Sequence, residues 1–216
     1  MSDLSRLYPV FHRVFEHAPL GKFTAYMDAL LKYMEGYGML TGPRAAAFCA
    51  QVGYESGDLR WWKEWDAHRN CYAAYEGRAS LGNVQPGDGA RFCGRGPIQL
   101  TGRANYAAAG VAAAAEGVVP AADYYTAHPE LVEQPEHGFF TTIWYWRSHN
   151  LDVLADRFAF DQIGFEINAG RWRPEFDASF GAHEAAAGRV IGRNDRTARY
   201  LWALKIFSDV SDILPQ

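Results

Sequence analysis

Apolar residues recur at mixed three- and four-residue spacings along much of the chain, the period of a helix with one buried face. Two such segments lie near the N-terminus, from about Leu4 to His17 and from about Thr24 to Tyr37. In the second, Leu30, Leu31, Met34 and Tyr37 form one stripe, and Gly36 and Gly38 permit the left-handed conformation that closes a helix. Thr41-Gly42-Pro43 marks the next start, because proline at the first helical position lacks an amide hydrogen that would go unpaired there. Ala45, Phe48, Cys49 and Val52 make the following stripe, and Gly57 is the expected stop. Glu55 falls beside that stripe in the last turn, where the chain is about to leave the helix.

Residues 76 to 96 carry six glycines and a proline among polar groups, which predicts an ordered loop without long regular structure. A loop of this length in a compact domain is usually functional or disordered, and the flanking aromatics favour function. Helices are expected again from about Ala107 to Glu116, Glu136 to His149, Phe158 to Asn168 and Asp195 to Leu214, the last with Leu201, Leu204, Ile206 and Phe207 available for burial. There is no repeat of fixed period. The pattern predicts a mainly α protein, with at most a small β-hairpin between residues 70 and 100.

At 216 residues the chain is long enough for one sizeable core, and a single domain over 1–216 is the expectation, with the helices of residues 1–40 packed on it. A net charge of -4 removes the basic excess that accompanies nucleic-acid binding. Cys49, Cys71 and Cys93 cannot all pair and show no metal-ligand spacing, so neither a disulfide framework nor a metal or other cofactor is expected. Charged or His residues at 3, 6, 12, 13, 16 and 17 leave no apolar stretch for a signal peptide, and no later segment is long and apolar enough for membrane insertion. Synthesis in the cytoplasm, with any export by a route the sequence does not encode, is the expectation. Aromatic residues reach 15%; core packing explains this, and so does a groove that stacks sugar rings.

Glu55 and Glu64, in YESGDLRWWKEWD, stand nine residues apart with Gly57 turning the chain between them. Hydrolysis of a glycosidic bond with inversion needs one carboxyl group to protonate the leaving oxygen and another to activate water, roughly 6.5–9.5 Å away. Glu55, beside apolar side chains at the negative end of a helix, suits the acid. Glu64, between Lys63 and Trp65 with Asp66 and Arg69 nearby, suits the base; a solvated surface residue is the ordinary alternative.

The runs YESGDL, YEGRASLGNVQPGDGARFCGRGPIQLTGRANY, INAG and NDRTARY, in that order from about residue 44 to 207, resemble glycoside hydrolase family nineteen, and within it the bacteriophage endolysins. Residues 94 to 102, GRGPIQLTG, are the most specific piece. The resemblance implies a lysozyme-like helical fold with two lobes about a cleft and an inverting two-glutamate mechanism. Glu55 matches the family's acid, in a motif that usually reads His-Glu-Ser-Gly, so Tyr54 stands where that histidine would be. Glu64 matches the second carboxylate at the spacing of phage-type members. Gln99, Thr101, Asn105 and Asn168 match positions that bind the N-acetyl sugar or hold the water, and Arg196 matches an arginine supporting the acid. After Asn168 the chain continues Ala169-Gly170-Arg171-Trp172, where family members often carry a second glycine and an acidic residue. Tyr75, Tyr106 and Trp61 or Trp62 are candidates for stacking on sugar, with core packing the alternative for each. Gln99 and Thr101 also have a plain alternative in satisfying buried backbone groups, and Arg196 in lying on a solvated helix face beside Arg193 and Arg199.

Together these imply a monomeric endolysin-type hydrolase that cleaves β-1,4 bonds of peptidoglycan in the periplasm. A chitinase acting on N-acetylglucosamine polymers, an interbacterial toxin with the same chemistry, and a non-catalytic sugar-binding protein are the alternatives.

Overall fold

The computed structural model describes residues 4–64, 72–168 and 190–214. Trp65, Asp66, Arg69, Cys71 and residues 169–172, named above, lie outside them. The described residues are mainly helical: α1 Tyr8–Val14, α2 Leu20–Gly36, α3 Gly42–Ser56, α4 Asp88–Arg91, α5 Arg103–Ala115, α6 Tyr124–Ala127, α7 Pro135–Ser148, α8 Leu151–Asp156, α9 Phe160–Asn168 and α10 Arg193–Asp209. None of these helices is long and apolar enough to cross a membrane. No strand forms among the described residues. In place of a hairpin, Arg95 pairs singly with Lys63 and with Leu100.

The fold divides into two compact units, residues 1–16, 34–54 and 146–216 in the first and residues 17–33 and 55–145 in the second. The chain crosses between them four times, so neither is a continuous stretch of sequence.

In the first unit α1 packs on α10, and α9 packs on both α8 and α10. Phe11 meets Phe207 edge-on at 5.4 Å and Phe48 meets Trp146 at 5.2 Å. Ala45, Phe48, Cys49 and Val52 of α3 are all buried, as their spacing requires. In α10 the buried face is Arg196, Tyr200, Ala203, Ile206 and Phe207. Leu201, expected inside, is instead 61% exposed, because one residue past Tyr200 the helix has turned about 100° away from that face.

The second unit is built around an aromatic cluster. Trp62 stacks on Tyr26 at 4.8 Å and meets Phe139 edge-on at 5.2 Å, while its indole N–H donates to Leu59 O at 2.8 Å. Gly138 of α7 lets the indole approach; a Cβ there falls 2.5 Å from Trp62 Cζ3. Removing a buried tryptophan of this kind costs about 3–5 kcal/mol, so the residues on either side of Trp62 are firmly anchored.

Candidate active site

Helix α3 ends at Ser56, one residue after Glu55, and the chain then makes a left-handed turn. Gly57, Asp58 and Leu59 have φ of 57°, 58° and 63°. Two of the three carry side chains in a region costing each about 1–2 kcal/mol, so the turn must be held from outside. Leu59 is fully buried, and its N–H donates to Ser56 Oγ at 2.8 Å. The N–H groups of Arg60 and Trp61 both donate to Ser56 O, at 3.0 and 2.9 Å. Asp58, also buried, pairs with His17 Nδ1 at 2.8 Å. Glu55 itself is half-buried.

From Trp62 to Glu64 the backbone runs against the glycine-rich segment that begins at Gly94. Glu64 N–H donates to Gly94 O at 2.8 Å, and Gly96 N–H donates to Trp62 O at 2.9 Å. Arg95 and Leu100 exchange two backbone hydrogen bonds and close a tight loop over Gly96-Pro97-Ile98-Gln99. That loop brings the Gln99 side chain beside Glu64. The Glu64 carboxylate accepts from the Tyr75 hydroxyl at 3.0 Å and from Gly94 N–H at 3.2 Å. Gln99 Oε1 converges on the same place, since a Cβ at position 94 falls 2.8 Å from Gln99 Oε1 and 3.2 Å from Glu64 Oε2. Position 94 admits glycine because these two oxygens occupy the space.

Gln99 has φ of 59° and is locked there: its side-chain amide donates to Gly96 O at 2.9 Å, and its carbonyl accepts from Thr101 Oγ1 at 2.8 Å. Asn105 Nδ2 donates to Thr101 O at 2.8 Å. The unit thus gathers Glu64, Tyr75 and Gln99 about Gly94, with Thr101 and Asn105 supporting the loop from behind. Tyr106 is elsewhere. It is fully buried, its ring 5.3 Å from that of Phe92 and its hydroxyl 3.0 Å from Cys93 O, so no face is open to a sugar. Of the two tryptophans, Trp62 is core and Trp61 is 63% exposed.

Two supports escaped the sequence reading. The Tyr72 hydroxyl donates to Glu64 O at 2.8 Å. Buried Asn83 donates to Tyr75 O at 2.9 Å and accepts from Arg103 N–H at 2.8 Å, tying the tyrosine loop to the start of α5. The spacing of Tyr72 and Tyr75 was the available signal for the first. A lone asparagine in a polar loop offered none for the second. Next to it, Asp88 receives Arg103 Nε at 2.8 Å, and the guanidinium holds this carboxyl below the usual range although burial pushes the other way.

The remaining predicted residues belong to the first unit. Arg196 is only 2% exposed, which removes the solvated-face alternative. Its guanidinium donates to Gln51 Oε1 at 2.5 Å and to Ile191 O at 2.9 Å, and lies over the Tyr54 ring. Asn168, the last residue of α9, accepts from Ile191 N–H at 2.9 Å, so Asn168 and Arg196 grip residue 191 from its two backbone ends.

A carboxylate oriented by a phenol and a backbone amide, beside a side-chain amide oxygen, can take a proton from water, a step that polysaccharide hydrolysis requires. The chain belongs to glycoside hydrolase family 19, described as chitinase class I, whose family model matches residues 43–194. It is similar to a glycosyl hydrolase family 19 domain-containing protein of Haemophilus influenzae, 26% identical over 191 residues that cover 74% of this chain and 86% of that protein. It is also similar to Endochitinase EP3 of Arabidopsis thaliana, 31% identical across 52% of this chain and 37% of that one, and to an endochitinase of Pisum sativum, 28% identical across 68% and 41%. The chain therefore spans about two fifths of the length of those plant relatives. Among solved structures it shares the fold of chitinase C from Streptomyces griseus HUT6037, with a TM-score of 0.59 at 22% identity over 93% of this chain and 76% of that one.

Proposed function

We propose that the chain hydrolyses β-1,4 bonds between N-acetylated amino sugars with inversion, Glu55 protonating the leaving oxygen and Glu64 activating water. The observation that carries this reading is the setting of Glu64. A carboxylate that accepts from Tyr75 and Gly94 N–H keeps a fixed orientation and has lone pairs left to take a proton from water, and the adjacent Gln99 oxygen is a second acceptor for that water. Gln99, Thr101 and Asn105 serve in sugar binding or in holding Glu64. Tyr75 orients Glu64 through its hydroxyl, and Trp61, exposed beside Gly57, is a platform for stacking on sugar.

The substrate in this reading is bacterial peptidoglycan, and the enzyme acts on the wall as an endolysin does. The support is the nine-residue interval from Glu55 to Glu64 and the 76–102 segment, which resemble phage-type members of the family. The second reading is chitin, favoured by the names of the plant and Streptomyces relatives. Mass spectrometry of digested peptidoglycan, run beside a chitin-oligomer assay, separates them. New reducing ends in the glycan, without anhydro products, support the first reading. Cleavage of chitin oligomers alone replaces it with the second, and no cleavage of either ends both.

A further inference from the structure

A pocket of about 320 Å³ opens in the first unit between the start of α9 and the middle of α10. It shares no residue with the candidate active site. Its walls include Phe158, Asp161, Gln162, Thr197, Tyr200 and Leu201.

Two of these are apolar side chains standing largely in water, Phe158 and Leu201, each 61% exposed. Phe158 closes helix α8. Its N–H donates to Ala155 O and the next N–H, that of Ala159, reaches back to Leu154 O, the pattern in which glycine usually takes the left-handed position. Phenylalanine holds that position here with φ of 57°. Neither burial nor helix closure accounts for an aromatic residue at this place. Tyr200 is the opposite case: its ring is buried and stacked flat on Phe160 at 4.1 Å and 5°, yet its buried hydroxyl has no hydrogen-bond partner. Buried hydroxyls are nearly always satisfied, and one that is not calls for an explanation. Asp161, held by Arg193 at 2.7 Å, keeps a third of its side chain exposed, and Gln162 and Thr197 add an amide and a hydroxyl.

An exposed aromatic plane rimmed by carboxylate, amide and hydroxyl groups is chemistry that receives a pyranose, C–H face on the ring and hydroxyls on the rim, and Leu201 offers an apolar patch to an N-acetyl methyl group. We propose that this pocket is an outer binding site for one N-acetylated amino-sugar residue, which holds the enzyme on its insoluble polymer. The class of sugar rests on the function proposed above. One such contact is weak, and its effect comes from raising the local concentration of polymer at the active site.

The test compares the intact chain with Phe158→Ala and Leu201→Ser for retention on insoluble chitin and on peptidoglycan sacculi, and for turnover of a soluble N-acetylglucosamine tetramer. Each variant is expected to lower retention by about 3- to 10-fold, the range of a lost aromatic or apolar contact, with tetramer turnover and melting temperature unchanged. Both side chains are exposed, so the fold survives their removal. Retention equal to that of the intact chain overturns the inference, as does an equal loss of tetramer turnover, which would make the pocket part of the active site. If the intact chain cleaves the tetramer but is not retained, the outer site fails and the proposed function stands. If it is retained through Phe158 but cleaves neither the tetramer nor the sacculi, the outer site stands and the proposed function fails.

Discussion

The guanidinium of Arg196 lies over the ring of Tyr54, 4.0 Å from its centroid. Tyr54 stands where the motif that this segment resembles usually carries histidine, and a ring beneath a buried arginine supplies cation–π attraction. Gly192 leaves the space, since a Cβ there falls 1.8 Å from the Tyr54 hydroxyl oxygen. Tyr54→Phe is expected to melt within a degree or two of the parent, because the ring carries the attraction. Tyr54→Ala should lose about 2 kcal/mol. Arg196→Met strands the buried Gln51 Oε1, at about 1–3 kcal/mol for an unpaired buried group. Denaturant melts of the three variants check this, and equal losses in the Phe and Ala variants would show that the ring is not what Arg196 rests on.

Glu55→Gln removes the only proton that position can give and should lower turnover by about 100- to 10,000-fold, the usual contribution of an acid catalyst. Circular dichroism should be unchanged. Glu64→Gln keeps an oxygen for only one of its two donors, Tyr75 and Gly94, and cannot take a proton, so a comparable loss is expected. Proton NMR in the first minutes of reaction of the parent should register the inverted anomer. Substantial activity in Glu55→Gln, or a retained anomer, would remove the two-glutamate mechanism.

The geometry about Gly94 makes a sharper test, because it alters orientation and leaves both carboxylates present. Gly94→Ala places a methyl group 2.8 Å from Gln99 Oε1 and 3.2 Å from Glu64 Oε2, and one of them must move. The expected outcome is a fall in kcat with KM little changed and a melting temperature lowered by only a few degrees. Tyr75→Phe deletes one of the two hydrogen bonds on Glu64 and should lower kcat by roughly 10-fold, equivalent to about 1.4 kcal/mol, at a stability loss of about 1 kcal/mol. Unchanged kcat in both variants would mean that the orientation of Glu64 is irrelevant to the chemistry.

Where a period of 3.6 residues governs burial, the sequence alone was readable. Helix α3, from Gly42 to Ser56, follows from Pro43, the Ala45–Val52 stripe and the stop at Gly57, and Glu55 falls in its last turn as expected. What the pattern missed was decided by distant partners. Asp58 and Leu59 take left-handed backbone because His17 and the buried interior hold them, and no local signal marks two such residues after a glycine. Arg196 looks like part of a solvated basic face until its partner Gln51, 145 residues earlier, is brought to it. Tyr106 looks like a sugar platform until Arg95 and Cys93 draw its hydroxyl inward. The short helices α6 and α8 have too few residues to display a period.

Acid should weaken the loop that supports Tyr75 before it unfolds the rest. The Arg103 guanidinium holds the Asp88 carboxyl below the usual carboxylate range, outweighing burial. A folded value below the unfolded one, about 3.9, means that the pair's stabilisation is complete above that pH and disappears as pH falls through the folded value. Melting temperature should therefore drop more steeply below pH 4 in the parent than in Asp88→Asn. At pH 7 the variant should be the less stable by about 2 kcal/mol, the value of a charge-assisted hydrogen bond. Parallel curves for the two proteins across pH 2–7 would contradict the assignment.

Phe158 links stability to the proposed outer site. Its φ of 57° costs about 1–2 kcal/mol relative to glycine, and its ring recovers little because most of it remains in water. Glycine fits the left-handed closure without strain, and the price is greater freedom in the unfolded chain, about 0.5–1 kcal/mol. The two effects oppose, and strain is the larger. Phe158→Gly is thus expected to leave stability unchanged or raise it by up to about 1 kcal/mol, while retention on insoluble polymer falls as in Phe158→Ala. A residue that gives nothing to the fold and is needed for polymer retention is kept for binding, which is the distinction that urea melts beside the retention assay draw. A loss of more than 1 kcal/mol in Phe158→Gly would assign the phenylalanine to the packing of α8 instead.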